Sequence, residues 1–181
     1  MGGKTFTPQQ FLWRWYADDG AEPTTALANE VVRPTLTNSN IIRLRLQITE
    51  MGGAAGSGAV TLQYSTDDVN FTAFGSSNHW NYANGQATEG NTIAANKLVG
   101  GLGKYHESGT VSESWLASQA LEMDFAAQQT GTASAGTIYY FRALIAGVIV
   151  PLGSGQSHPQ VTTAAAGWGM LLSDKRNRII S

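Results

Sequence analysis

The chain has 181 residues, with 11 Lys and Arg against 13 Asp and Glu, a formal charge of -2, and no cysteine. A chain of ~150 residues already buries about 68–70% of the surface its unfolded form exposes, so one domain with a self-sufficient core is expected. Lack of cysteine excludes a disulfide framework, a thiol nucleophile and a thiolate zinc site, and no run approaches the ~20 apolar residues of a membrane helix.

The order of elements is that of an all-β chain. Residues 1–10 read as an N-terminal arm, and Phe11 to Tyr16 as the first strand, with Phe11, Trp13 and Trp15 on one face. Ala17-Asp18-Asp19-Gly20 then makes a turn of the Asp-Gly kind, and Pro23 and Pro34 mark an irregular or edge-like stretch. From Ile41 to Thr49 the pattern alternates, Ile42, Leu44, Leu46 and Ile48 facing a core and Arg43, Arg45 and Gln47 facing away, which predicts a half-buried strand.

Met51 to Ala59 is Gly- and Ala-rich and reads as a flexible, long hairpin connection. Val60, Leu62 and Tyr64 give the inward face of the next strand, and Thr66 to Asn70 turns the chain into Phe71 to Phe74 as a hairpin. Patterning weakens between Gly75 and Ser118, where Ser112 to Ala120 is expected as a short capped helix. Leu121, Met123 and Phe125 alternate with Glu122 and Asp124, as in a strand. Thr137 to Ile145 is apolar on both faces except at Arg142, which predicts a central strand covered on both sides or buried in a subunit contact. Val148-Ile149-Val150 is a short apolar run, Pro151 to Ser157 a turn, and Pro159 to Thr163 the last strand. Seven or eight short strands predict an antiparallel β-sandwich of jelly-roll or immunoglobulin-like topology over residues 11–163, followed by a C-terminal arm over 164–181.

Charged residues make up 13% of the chain, about half the ~25% usual in soluble domains. Either Thr, Asn and Gln replace Lys and Glu on a β surface, or part of the surface is covered by partners. Ser173 to Ser181 holds Lys175, Arg176 and Arg178 against Asp174, a +2 tail on a body with 8 basic and 12 acidic residues. Such asymmetry favours a tail docking on a neighbour. The segment Met1 to Pro8 lacks the apolar stretch of a secretory signal, so synthesis and assembly in a cytoplasm are expected.

No coherent catalytic, cofactor or metal constellation emerges, and the chain reads as non-enzymatic. Gly100-Gly101-Leu102-Gly103-Lys104-Tyr105 departs from a phosphate loop, because Leu98 stands where its first glycine belongs and Tyr105 where its Ser or Thr belongs. Gly155-Gln156-Ser157-His158-Pro159 starts like a nucleophile elbow but ends in proline, and reads as a turn. His79, His106 and His158 have no second ligand at metal spacing and read as surface or loop residues. Asp18-Asp19 and Asp67-Asp68 read as turn caps. Asn70-Phe71-Thr72 has the glycosylation pattern but no secretory context. Trp80, Tyr82, Tyr105 and His106 form a candidate platform for a sugar face, against the plainer expectation that they pack in a core or interface. Three basic residues in the tail give no sequence-specific nucleic-acid binding.

With these residues in view, the chain resembles the β-sandwich virion proteins of tailed bacteriophages, most of all capsid decoration (cement) proteins. The matching stretches are Phe11 to Gly20, Ile42 to Leu46 followed by Leu62 to Asp67, and Tyr139-Tyr140-Phe141-Arg142. The resemblance is one of texture and order and implies a homo-oligomer, often a trimer. It further implies a place on the outer capsid surface, contact with the major capsid protein, and terminal arms reaching across subunits. Candidate interface residues are then Phe11, Trp13 and Trp15 at one end and Trp168, Met170, Leu171, Leu172, Lys175, Arg176 and Arg178 at the other. The alternative is a tail or fibre component that binds carbohydrate through the aromatic platform.

Overall fold

Eleven strands carry the computed structural model, which describes residues 3–164. The alternation in Ile42–Glu50 (β2) places Leu44, Leu46 and Ile48 on an inner face, with Pro8–Ala17 (β1) on one side and Ala120–Gln129 (β8) on the other. Trp80–Tyr82 (β5) and Gly101–His106 (β6) lie end to end along the free side of β8, β5 antiparallel and β6 parallel to it. The second sheet is built on Gly56–Ser65 (β3) and Ile138–Ile145 (β9). Thr72–Ala73 (β4) and Ser112–Trp115 (β7) flank β3, whereas Val148–Ile149 (β10) and Gln160–Thr162 (β11) flank β9.

The two layers meet through aromatic rings. Trp15 and Trp80 each pack edge-on against Phe141, both at 5.1 Å between ring centroids, and Met123, Phe125 and Tyr139 are fully buried around them. Fully burying one such side chain contributes about 1.5–3 kcal/mol, so this inter-sheet seam holds the fold. The described residues thus form an all-β sandwich, with eleven strands where seven or eight were expected.

Four sequence expectations change. Residues 51–55 join β2 to β3 in different sheets, so the connection is a crossover between layers and not a hairpin, and Gly56 to Ala59 belong to β3. Residues 112–115 are strand, not helix, because Glu113 and Trp115 are buried and Ser112 and Ser114 exposed, a period of two masked by the buried glutamate. Arg43, Arg45 and Gln47 are buried as well, so β2 is covered on both faces. In β9 the reverse holds: Tyr139, Phe141 and Ala143 face the core, but Tyr140 and Arg142 are half-exposed.

The described part of the N-terminal arm lies on its own domain. Thr5 bridges Gly53, the Phe6 ring sits 5.8 Å from that of Trp115, and β1 starts at Pro8. A one-residue bulge between Gln10 and Trp13 breaks the face expected for Phe11, Trp13 and Trp15. Residues 25–31 bind the outer edge of β1, through Ala17, Leu27 and Val31, and residues 34–36 bind β11. Those two edges are closed by the chain itself.

Candidate functional site

On the outer face of the first sheet, β2 and β8 place two cations against two carboxylates. Arg45 stands directly opposite Asp124, and Gln47 opposite Glu122. Asp124 bridges both arginines, its Oδ1 2.5 Å from Arg43 Nε and its Oδ2 3.0 Å from Arg45 Nε. Arg43 Nη1 also reaches Glu107 at 2.8 Å and Asp18 at 3.3 Å, and Arg45 Nη2 reaches Glu22 at 2.9 Å. All of Arg43, Arg45, Glu122 and Asp124 are 0% exposed.

Carboxylates outnumber arginines here, and the excess is met by backbone. Lys97 N and Leu98 N donate to Glu122, Ala94 N to Glu22, Gln86 N to Asp18 and Gly85 N to Glu107. Each donor lies in residues 85–98, a stretch that crosses the sheet face with little regular structure of its own. Its backbone groups would be orphaned if buried without partners, and the ionised side chains supply those partners. Arg45 Nη1 completes the exchange by donating to the Ala95 carbonyl at 2.9 Å.

The electrostatics follow from burial against pairing. Burial alone would lower the Arg43 and Arg45 pKa values, but Asp124, aided by Glu107 and Glu22, raises both above the ordinary range. Burial raises Glu107 despite Arg43. Burial would also raise Glu22, yet hydrogen bonds from Tyr105 and Arg45 outweigh it and lower the value. Tyr105 donates to Glu22 Oε2 at 2.5 Å, and burial together with that bond pushes the phenol up to about 12. The arrangement is a buried ion-pair layer that fixes a long loop, with Arg43 Nη2 the one nitrogen of the two guanidinium groups that lacks a hydrogen-bond partner among the described residues.

A different surface opens at the edge of the second sheet. Ala146 (φ 50°) and Gly147 (φ 79°) make the two-residue turn into β10, with both central residues at the positive φ that such hairpins require. Val148 and Ile149 project outward, 70% and 49% exposed. Between β10 and the segment Phe6 to Pro8 runs an apolar groove of about 390 Å³, with Pro151 also in its lining. A more polar hollow of about 490 Å³ lies between Asp18, Thr35 to Asn38 and Gln128.

The residues singled out in the sequence fall in several places. Trp13 and Trp15 are 1% and 0% exposed and belong to the core, which leaves them no surface to offer a partner, and Phe11 is half-buried beside Gly153. Trp80 faces inward against Tyr139 and Phe141, and Tyr82 packs on Phe74 with its hydroxyl accepting from Leu62 N. His106 is 0% exposed, stacked on Phe125 and 3.1 Å from Glu113 Oε1, so it is a core residue where a loop residue was expected. Tyr105, its neighbour, points to the opposite face of β6 beneath Arg43. These four rings therefore share no open platform. Trp168, Met170, Leu171, Leu172, Lys175, Arg176 and Arg178 lie outside the described residues.

Sequence reasoning missed the buried charged layer. The signal was there in part: Arg-x-Arg in one strand and Glu-x-Asp in another have matching period and opposite sign. No family model matches the chain, and no curated protein or solved structure is significantly similar to it.

Proposed function

We propose that the chain is a non-enzymatic virion structural protein, a capsid decoration protein that binds the outer capsid surface and fastens neighbouring capsomers. The observation that carries this reading is where its charge has gone. Arg43, Arg45, Glu50, Glu107, Glu113, Glu122 and Asp124 are buried, from a chain with only 24 charged residues in all. What remains outside is a Thr-, Ser-, Asn- and Gly-rich surface of low charge, a poor solubility device for a free monomer and a suitable one for a chain packed against neighbours. Many copies of such weak contacts add through multivalency, and the resemblance to decoration proteins in residues 11–20, 42–46, 62–67 and 139–142 points the same way.

Copy number tests the proposal. Quantitative mass spectrometry of purified particles should find this chain at a stoichiometry comparable to the major shell protein. A few copies per particle would assign it to a tail or fibre, and absence from particles would end the virion reading.

A further inference from the structure

We infer that the apolar groove between Phe6–Pro8 and β10 is the docking site for the C-terminal segment of a second copy of this chain, with Trp168 as the inserted side chain. Among the described residues, β10 is an edge strand with apolar side chains outward and no charged residue guarding it, the arrangement that accepts an added strand. Chain segments cover the edges of β1 and β11, as described above, but the groove beside β10 stays open. Its volume of about 390 Å³ lies within the ~300–1,000 Å³ of sites that enclose a compact group, and its walls at Phe6, Pro8, Val148, Ile149 and Pro151 are apolar. The segment beyond Ala164 supplies matching chemistry in Trp168, Met170, Leu171 and Leu172.

Reach decides which copy supplies it. Thr163 N donates to the Thr137 carbonyl, and Gly136 N to that of Ala164, so the chain leaves the sheet at the start of β9. The groove is at the other end, where Val148 pairs with Ile145 and Val150 N donates to Ala143. At ~3.4 Å per residue that separation is ~20–24 Å. Four residues from Ala164 to Trp168 span at most ~14 Å of backbone, so it is Trp168, rather than Leu171 or Leu172 with their seven- and eight-residue span, that falls short of its own groove. A +2 tail on an acidic body favours the same encounter between copies, and a groove offered and a tail given by each copy closes as a reciprocal pair or a ring.

This deepens the assembly reading without resting on a virion, and purified full-length chain is enough to test it. Because the sequence has no cysteine, Val148→Cys and Gly169→Cys variants, the second of which keeps the Trp168 side chain, can carry different tags and be mixed under mild oxidation. The expected product is a disulfide-linked heterodimer, and the double variant should give intermolecular ladders. A purely intramolecular bridge in the double variant overturns the inference. So does heterodimer formation no greater than that of Gly169→Cys with the exposed control Val99→Cys. Val148→Lys, at a position 70% exposed, should fold normally and weaken self-association in sedimentation by ~10-fold or more, the size expected when a charge faces a buried aromatic; unchanged association overturns it equally.

Discussion

Asp124 is the residue on which the charged layer turns, because its two oxygens serve Arg43 and Arg45 at once. Replacing it with Leu, a larger apolar side chain, strips two buried cations of their shared partner, and breaking a buried pair in this way costs about 3–5 kcal/mol. Urea unfolding of Asp124→Leu should show a loss of that size, and amide exchange should accelerate at Ala94, Lys97 and Leu98, whose donors are held by the same layer. A loss confined to global stability, with the loop still protected, would separate the loop from the network. Glu50 has a comparable post elsewhere: 1% exposed, it accepts backbone N–H bonds from Thr7, Gly52, Gly53 and Ser118. Burial would raise its pKa, but those bonds outweigh it and bring the carboxyl down to about 2 from 4.5. A depressed folded value means that its stabilisation is complete above pH 4.5 and drains away as pH falls through about 2. Melting curves of the parent and Glu50→Gln should therefore differ at pH 7 and converge near pH 2; an equal gap at both would assign the acid sensitivity to another group. Neither role was legible in the sequence: Asp124, between Met123 and Phe125, reads as solvent-facing, and Glu50 falls where the alternating pattern ends. A folded partner strand and a covering loop are needed to reverse that.

At the scale of elements, period-two patterning was a sound guide wherever one face is apolar and the other polar, as in β3 and the β3–β4 hairpin. It failed in β7, where a buried Glu113 disguises the alternation, and in the Gly-rich run after β2. That run is ordered by close approach: a Cβ at Gly56 would collide with the Phe6 ring, and one at Gly52 with the Thr5 carbonyl. Glycine there lets the N-terminal segment lie flat across β3. Gly56→Val should push Phe6 off Trp115 and cost about the burial of one aromatic side chain, ~1.5–3 kcal/mol. Denaturation of Gly56→Val, Phe6→Ala and the double variant should show the double no worse than the worse single, since both remove the same contact; additive losses would mean that Gly56 has a separate role.

For the whole molecule, the same sequence feature has two consequences. Few charges are present, and many of those are consumed inside, so loops are fixed by ion pairs while the outer surface stays nearly neutral. The sandwich class was legible because short strands and turn signals recur along the chain, but the layer assignment of each strand was not, since nothing local tells β2 and β3 to join different sheets. Among the described residues, a weakly charged surface, covered edges at β1 and β11 and an open apolar edge at β10 are the features on which the proposed assembly role rests. Cryo-electron microscopy of purified particles, with this chain located in the density, tests the proposed decoration role most directly. Decoration predicts sandwich-sized density on the outer shell at capsomer junctions, repeated over the whole capsid; density confined to a tail tip or fibre, or a shell bare of it, would contradict the role.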